Sequence, residues 1–254
     1  MIDGVNSHKY SSSPSDSYFA EKGGVFIALC LPSLLTWAYF VALEGQKSQF
    51  QQITYLICKG VQFSFPLLWV KFALHRGFRG EKSRTFGIPE SVSFGLYALI
   101  VILITYFFWV KPQGYFDPLM QILHRKLFQY GIDNEKKYFI LAAFYFIFHA
   151  FLEEYYWRWF VFGELTHIIT FSKALLISSV GFMAHHFILL TVFFPDSFWI
   201  PFLFSFLAGL GGAFWAWLYF RSHSLLGPWL SHSLVDAAIF IIGYDLIKNT
   251  PPHI

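Results

Sequence analysis

The sequence predicts an all-α polytopic membrane protein, a bundle of about seven transmembrane helices (six to eight) with an amphipathic helix at the interface. Three observations predict it. Only 13% of the 254 residues are charged, about half the fraction a soluble domain carries. Hydrophobic residues make up 56% of the chain, and the mean hydropathy is +0.51. The apolar residues also fall into runs of about 20, the length an α-helix needs to cross a hydrocarbon core of about 30 Å. A chain of this length holds one such bundle and leaves no room for a second domain. Its 33 Phe, 14 Tyr and 9 Trp exclude disorder, and its two cysteines, Cys30 and Cys58, exclude a disulfide scaffold.

Residues 1–23, with Ser11, Ser12, Ser13, Pro14, Ser15 and Asp16, read as a polar N-terminal tail without the basic and apolar regions of a signal peptide. A single transmembrane domain then occupies residues 24–248. The first span covers 24–44 and includes Pro32; Leu29 before Cys30 is too large for a lipoprotein-type cleavage site. The second covers 52–74 and is crossed by Lys59, read as facing a helix neighbour or snorkelling. Arg76, Arg79, Lys82 and Arg84 follow, a basic loop that the positive-inside rule assigns to the cytoplasm along with the N-terminus. A net charge of +3 without a clustered basic face gives no reason to expect a nucleic-acid partner. The third span covers 91–110. In the polar connection after it, Leu119, Ile122, Leu123, Leu127 and Phe128 recur at helical spacing around His124, Arg125 and Lys126, the pattern of an amphipathic interfacial helix. The remaining spans cover 138–162, 174–194, 198–220 and 225–247. In the sixth, Ser205, Ala208, Gly209, Gly211, Gly212 and Ala213 predict close helix packing. Seven crossings put the two ends on opposite sides, although Lys111, Arg125, Lys126, Lys136 and Lys137 give the far side nearly as much positive charge.

A charge at mid-membrane costs on the order of 3 kcal/mol on insertion scales, so the residues that break the apolar spans carry the information. They fall in residues 138–247: Glu153, Glu154 and Arg158 in the fourth span, His185 and His186 in the fifth, His232 and Asp236 in the seventh. Glu154 and Arg158 are four apart and share a helix face, while Glu153 is turned about 100° away. One carboxylate is paired and the other is left free. His232 and Asp236 likewise share a face. A desolvated Glu beside His suits general-base activation of water, and a further His can donate to a developing oxyanion. No Ser or Cys stands in a nucleophile setting, and neither a His-Glu-x-x-His zinc motif nor a Gly-rich phosphate loop occurs. A divalent metal such as zinc is the rival chemistry, held by the nitrogens and oxygens of Glu153, His186, His232 and Asp236. Plainer readings stand beside these. Glu154 and Arg158 suit a structural ion pair, His185 a satisfied core histidine, and Tyr155, Tyr156, Trp157, Trp159 and Phe160 ordinary packing. His149 shares the face of Glu153 and stays unassigned. His167, His223 and His253 read as surface histidines.

In the motif-bearing half, residues 138–247, the sequence resembles the CAAX-protease and bacteriocin-processing (abortive-infection) family of intramembrane glutamate endopeptidases. The family motifs Glu-Glu-x-x-x-Arg, Phe-x-x-x-His and His-x-x-x-Asn/Asp occur in order, at Glu153 to Arg158, Phe182 to His186 and His232 to Asp236. The resemblance implies that Glu153 activates water, His186 helps hold it, and His232 with Asp236 stabilises the oxyanion. Glu154 and Arg158 are implied as a supporting pair, with no cofactor and no essential metal. Asp in place of Asn at position 236 departs from the eukaryotic members, because an ionised carboxylate cannot donate a hydrogen bond. Either His185 or His186 could face the site.

The expectation is an intramembrane protease that hydrolyses a peptide bond near the C-terminus, or in the membrane-proximal region, of a membrane-anchored or lipidated protein. Removal of a prenylated tail and cleavage of a C-terminal sorting helix are its two versions. A non-catalytic membrane immunity or scaffold protein of the same family is the alternative, and a proton-relay transporter a third. The expected partners are the lipid bilayer and the tethered protein substrate, and the expected location is a bacterial inner membrane.

Overall fold

The computed structural model describes residues 14–77 and 87–248, and all regular structure among them is helical. The helices are α1 (Pro14–Trp37), α2 (Ser48–Ala73), α3 (Ile88–Val110), α4 (Asp117–Gln129), α5 (Glu135–Ile168), α6 (Phe171–Phe193), α7 (Trp199–Ser222) and α8 (Leu226–Lys248). All but α4 are long and apolar enough to cross a membrane. This is an integral membrane protein. Its surface and interior bear that out: Phe108 is 81% exposed and Trp199 72%, while Glu154 and Arg158 lie at 0% and 2%. Lipid tails are as apolar as leucine, so the polar side chains are the ones that gain by turning inward.

Two boundaries differ from the sequence reading. The polar residues from Pro14 onward are drawn into α1, which therefore starts well before residue 24. Residues 1–13, Arg79, Lys82, Arg84 and His253 lie outside the described residues. The other difference is α5, a 34-residue helix. At 1.5 Å per residue it is about 51 Å long, well beyond a hydrocarbon core of about 30 Å. Asn134 starts it by accepting a hydrogen bond from the Lys137 amide at 3.0 Å. Gly163, Glu164 and His167 extend it where polarity suggested a loop. Arg76 ties down that end through ion pairs with Glu164, at 3.3 Å, and with Glu21 of α1.

α8 runs along α3, α6 along α7, and α1 against α6. The pairings rest on small residues. A Cβ on Gly95 of α3 would come within 2.8 Å of Leu234 Cδ1 and 3.0 Å of Ser231 Cα. One on Gly209 of α7 would lie 3.2 Å from Met183 Cβ, which is the close packing its small-residue run predicts. One turn on, a Cβ at Gly212 would sit 3.2 Å from Arg158 Nη2 and 3.1 Å from Phe182 Cδ1. The glycine face of α7 thus makes the space in which Arg158 lies. α4 forms as the amphipathic pattern predicts and docks across the far end of the bundle. There Lys126 pairs with Glu44 at 2.8 Å, and Ser48 Oγ donates to the Gln129 carbonyl.

Candidate active site

Glu153 and Glu154 lie in a short α segment, Ala150–Glu154, between two wider π segments, Phe144–His149 and Tyr155–Phe162. Such π interruptions shift the register of side chains and recur at functional sites. Neighbouring residues point about 100° apart, so Glu154 turns to Arg158 and Glu153 to His149 and His185, while both reach His232.

Glu154 is completely buried. Its Oε2 lies 3.1 Å from Arg158 Nε, the pair that the four-residue spacing predicts. Its Oε1 accepts a hydrogen bond from His232 Nδ1 at 2.7 Å, a contact between residues 78 apart in sequence. The Arg158 guanidinium sits 4.5 Å from the Phe182 ring centroid and 5.1 Å from that of Trp215. Trp215 in turn donates from Nε1 to Ser231 Oγ at 3.0 Å and stacks on the His232 ring at 4.2 Å and 14°. His232 is held by a carboxylate at one edge and by an indole across its face. That leaves Nε2 as its working nitrogen, 3.8 Å from Glu153 Oε2 and 3.5 Å from Asp236 Oδ1.

Glu153 is 4% exposed and is ringed by histidines. Besides His232, its Oε1 lies 3.5 Å from His185 Nε2 and 4.0 Å from His149 Nε2. Gaps of this size suit a bridging water better than direct contact. His185 stacks on Trp157 at 5.4 Å and 9°, and neither ring nitrogen has a hydrogen-bond partner. His186 Nδ1 lies 2.9 Å from the Phe182 carbonyl oxygen. A carbonyl only accepts, so this bond puts the neutral ring's proton on Nδ1 and leaves Nε2 as a base.

The six residues to which the family resemblance assigns roles meet in one cluster: Glu153, Glu154 and Arg158 from α5, His186 from α6, His232 and Asp236 from α8. His185 and His149 join them. The position of His149, four residues before Glu153, was a usable signal. The adjacency of His185 and His186 was not, because neighbouring helical residues diverge. No sequence signal pointed to the Glu154–His232 bond.

The donor atoms of Glu153, His185 and His186 lie within 4.8 Å of one another. This is a nitrogen and oxygen set of the kind zinc takes, although bonds of about 2.1 Å to a tetrahedral ion hold donors only about 3.4 Å apart. His232 and Asp236 fall outside that group, and His232 Nδ1 is committed to Glu154.

Residues 135–238 match the family model for type II CAAX prenyl endopeptidase Rce1-like proteins. Over this segment the chain is similar to the CAAX proteases. The segment opens at the first residue of α5 and closes just past Asp236, so it contains all three motifs and about two-fifths of the chain. Neither the curated proteins nor the solved structures yield a match. Within the matched segment, α5, α6 and α8 carry the ionisable cluster and α7 backs it. Helices outside the match complete its walls: Tyr156 donates to the Ala28 carbonyl of α1 at 2.8 Å, and Phe63 of α2 meets the His149 ring edge-on at 5.9 Å.

Proposed function

We propose that this protein is an intramembrane endopeptidase that hydrolyses a peptide bond near the C-terminus, or in the membrane-proximal region, of a membrane-tethered protein. The observation that carries this reading is the buried Glu153 carboxylate, ringed by the nitrogens of His149, His185 and His232. In this account a water in the ring loses a proton to Glu153 and attacks the scissile carbonyl carbon. His186 assists through Nε2. His232 faces the developing oxyanion with Nε2, and Glu154, backed by Arg158, holds its ring in place. Asp236 is a poor donor when ionised and acts by orienting His232. Collapse of the tetrahedral intermediate breaks the C–N bond, and the proton on Glu153 goes to the leaving amine.

The reading requires that Glu153→Gln, nearly isosteric but without a basic carboxylate, abolish release of a shortened product while the protein still assembles in the membrane. Full activity in that variant would sink it. The chemistry needs no metal, so hydrolysis by purified protein is expected to persist in excess chelator. Loss of activity that added zinc restores would move the account to a metalloprotease built on Glu153, His185 and His186.

A further inference from the structure

His149 ends a π segment of α5, four residues before Glu153 and on the same face. It is 9% exposed, and its Nε2 is buried without a hydrogen-bond partner. Two rings set its orientation. Tyr145 packs on it at 4.7 Å and 33°, and Phe63 of α2 meets it edge-on at 5.9 Å. Tyr145 is itself tied to α2, its hydroxyl hydrogen-bonding that of Tyr55 at 2.7 Å, and Trp229 of α8 donates from Nε1 to the Ile147 carbonyl inside the π segment at 2.8 Å. Tyr55 and Phe63 also receive the Lys59 ammonium, 5.9 Å and 5.5 Å from their ring centroids. The imidazole is thus fixed by its neighbours while Nε2 is left to face Glu153.

Distance decides what that nitrogen can do. It stands 4.0 Å from Glu153 Oε1, beyond direct hydrogen bonding. Two hydrogen bonds of about 2.8 Å that meet at one oxygen at about 90–110° span about 4.0–4.6 Å. His185 Nε2, 3.5 Å from the same carboxylate oxygen, would squeeze that angle to about 77°. His232 Nε2 faces the other oxygen, at 3.8 Å, with Asp236 beside it. We infer that His149 Nε2 and Glu153 Oε1 hold the attacking water between them, which makes His149 a further catalytic residue.

This rests on the endopeptidase reading and names the second partner of its water. With Nε2 as an acceptor, the water donates one hydrogen to Glu153 and the other to His149, which leaves both lone pairs of its oxygen for the scissile carbon. Attack forms the C–O bond and moves the first proton to Glu153, which passes it to the leaving nitrogen as the C–N bond breaks. The second proton stays on the new carboxyl group until His149 Nε2 takes it and hands it to the released amine. The products leave as carboxylate and ammonium, and both residues return to their starting states.

The test uses the full chain. A crystal structure of the unmutated protein grown in a lipid mesophase, at a resolution that shows ordered water, is expected to place a water within about 3.0 Å of both His149 Nε2 and Glu153 Oε1. Turnover is read in detergent micelles with a quenched fluorescent peptide carrying an S-farnesyl cysteine and three apolar residues after it. His149→Phe, which keeps a ring against Tyr145 and Phe63, should lower kcat about 100-fold and leave KM within about twofold. His149→Gln, whose amide oxygen can accept from the water, should recover part of the loss. A merely structural ring predicts the opposite order, because phenylalanine keeps the packing and glutamine does not. Thermal unfolding checks that each variant folds; if His149→Phe does not, or if the peptide is not turned over, the position of the water decides. A direct bond between Nε2 and Oε1, or no water between them, would overturn the inference. Full turnover by His149→Phe where Glu153→Gln is inactive overturns it and leaves the endopeptidase reading standing; full turnover by Glu153→Gln removes both.

Discussion

Glu154 meets two buried side chains at once, Arg158 through one oxygen and His232 through the other. Its carboxylate balances Arg158 and fixes His232, so removing either partner leaves an uncompensated charge in a medium that cannot solvate it. Arg158→Met is expected to destabilise the folded protein by about 3–5 kcal/mol, the usual consequence of breaking a buried pair from one side. Thermal unfolding in micelles measures it, and an unchanged midpoint would show that Glu154 is neutralised by other means. His186→Gln should behave differently. With Nδ1 tied to the Phe182 carbonyl, the proposed role of the ring is chemical, and its loss should lower kcat about 100-fold with little change in unfolding. Spacing alone revealed the Glu154–Arg158 pair, because four residues make one helical turn. It could not reveal the bond from Glu154 to His232 or the closeness of Lys59 to the cluster. Both depend on how separate helices rotate against each other, and the sequence read Lys59 simply as a residue turned to a neighbour or snorkelling.

At the scale of elements, the small residues of α3 and α7 decide how near α8 and α6 approach. Gly95→Leu would drive a side chain into Leu234 and the Ser231 backbone. The expected cost is about 1–3 kcal/mol, from overpacking the α3–α8 seam that positions His232. Gly60 on α2 has no atom within 4 Å of an added Cβ, so Gly60→Ala should leave the unfolding midpoint unchanged or raise it. Equal losses in the two variants would mean that glycine content, rather than contact, sets stability. The helices themselves were readable because about 20 apolar residues in a row have few alternatives in lipid. Where they end was less readable. α1 recruits the polar residues from Pro14, and α5 continues past Gly163 because Arg76 and neighbouring helices hold a segment whose composition favours a loop.

At the scale of the molecule, seven crossings fix an alternation of sides. The end that carries Arg76 also carries the start of α6, and the end that carries Lys111 also carries α4. Ser172→Cys and Gln113→Cys, each made in a version of the chain lacking Cys30 and Cys58, should therefore label from opposite faces of sealed vesicles with a membrane-impermeant maleimide. The positive-inside rule puts Ser172 on the cytoplasmic side. Labelling of both from one side would contradict the seven-span bundle, and an exchange of sides would contradict its orientation.

The central claim is that Glu153 cuts peptide bonds in membrane-tethered proteins. Its most direct test compares the membrane proteins of cells expressing the unmutated chain with those of cells expressing Glu153→Gln at matched levels, scored for new C-terminal ends. The account predicts shortened proteins only where Glu153 is intact, and their ends will identify the substrate class. Identical profiles, with a cellular effect of the protein persisting in both, would contradict it and leave a protein that acts by binding.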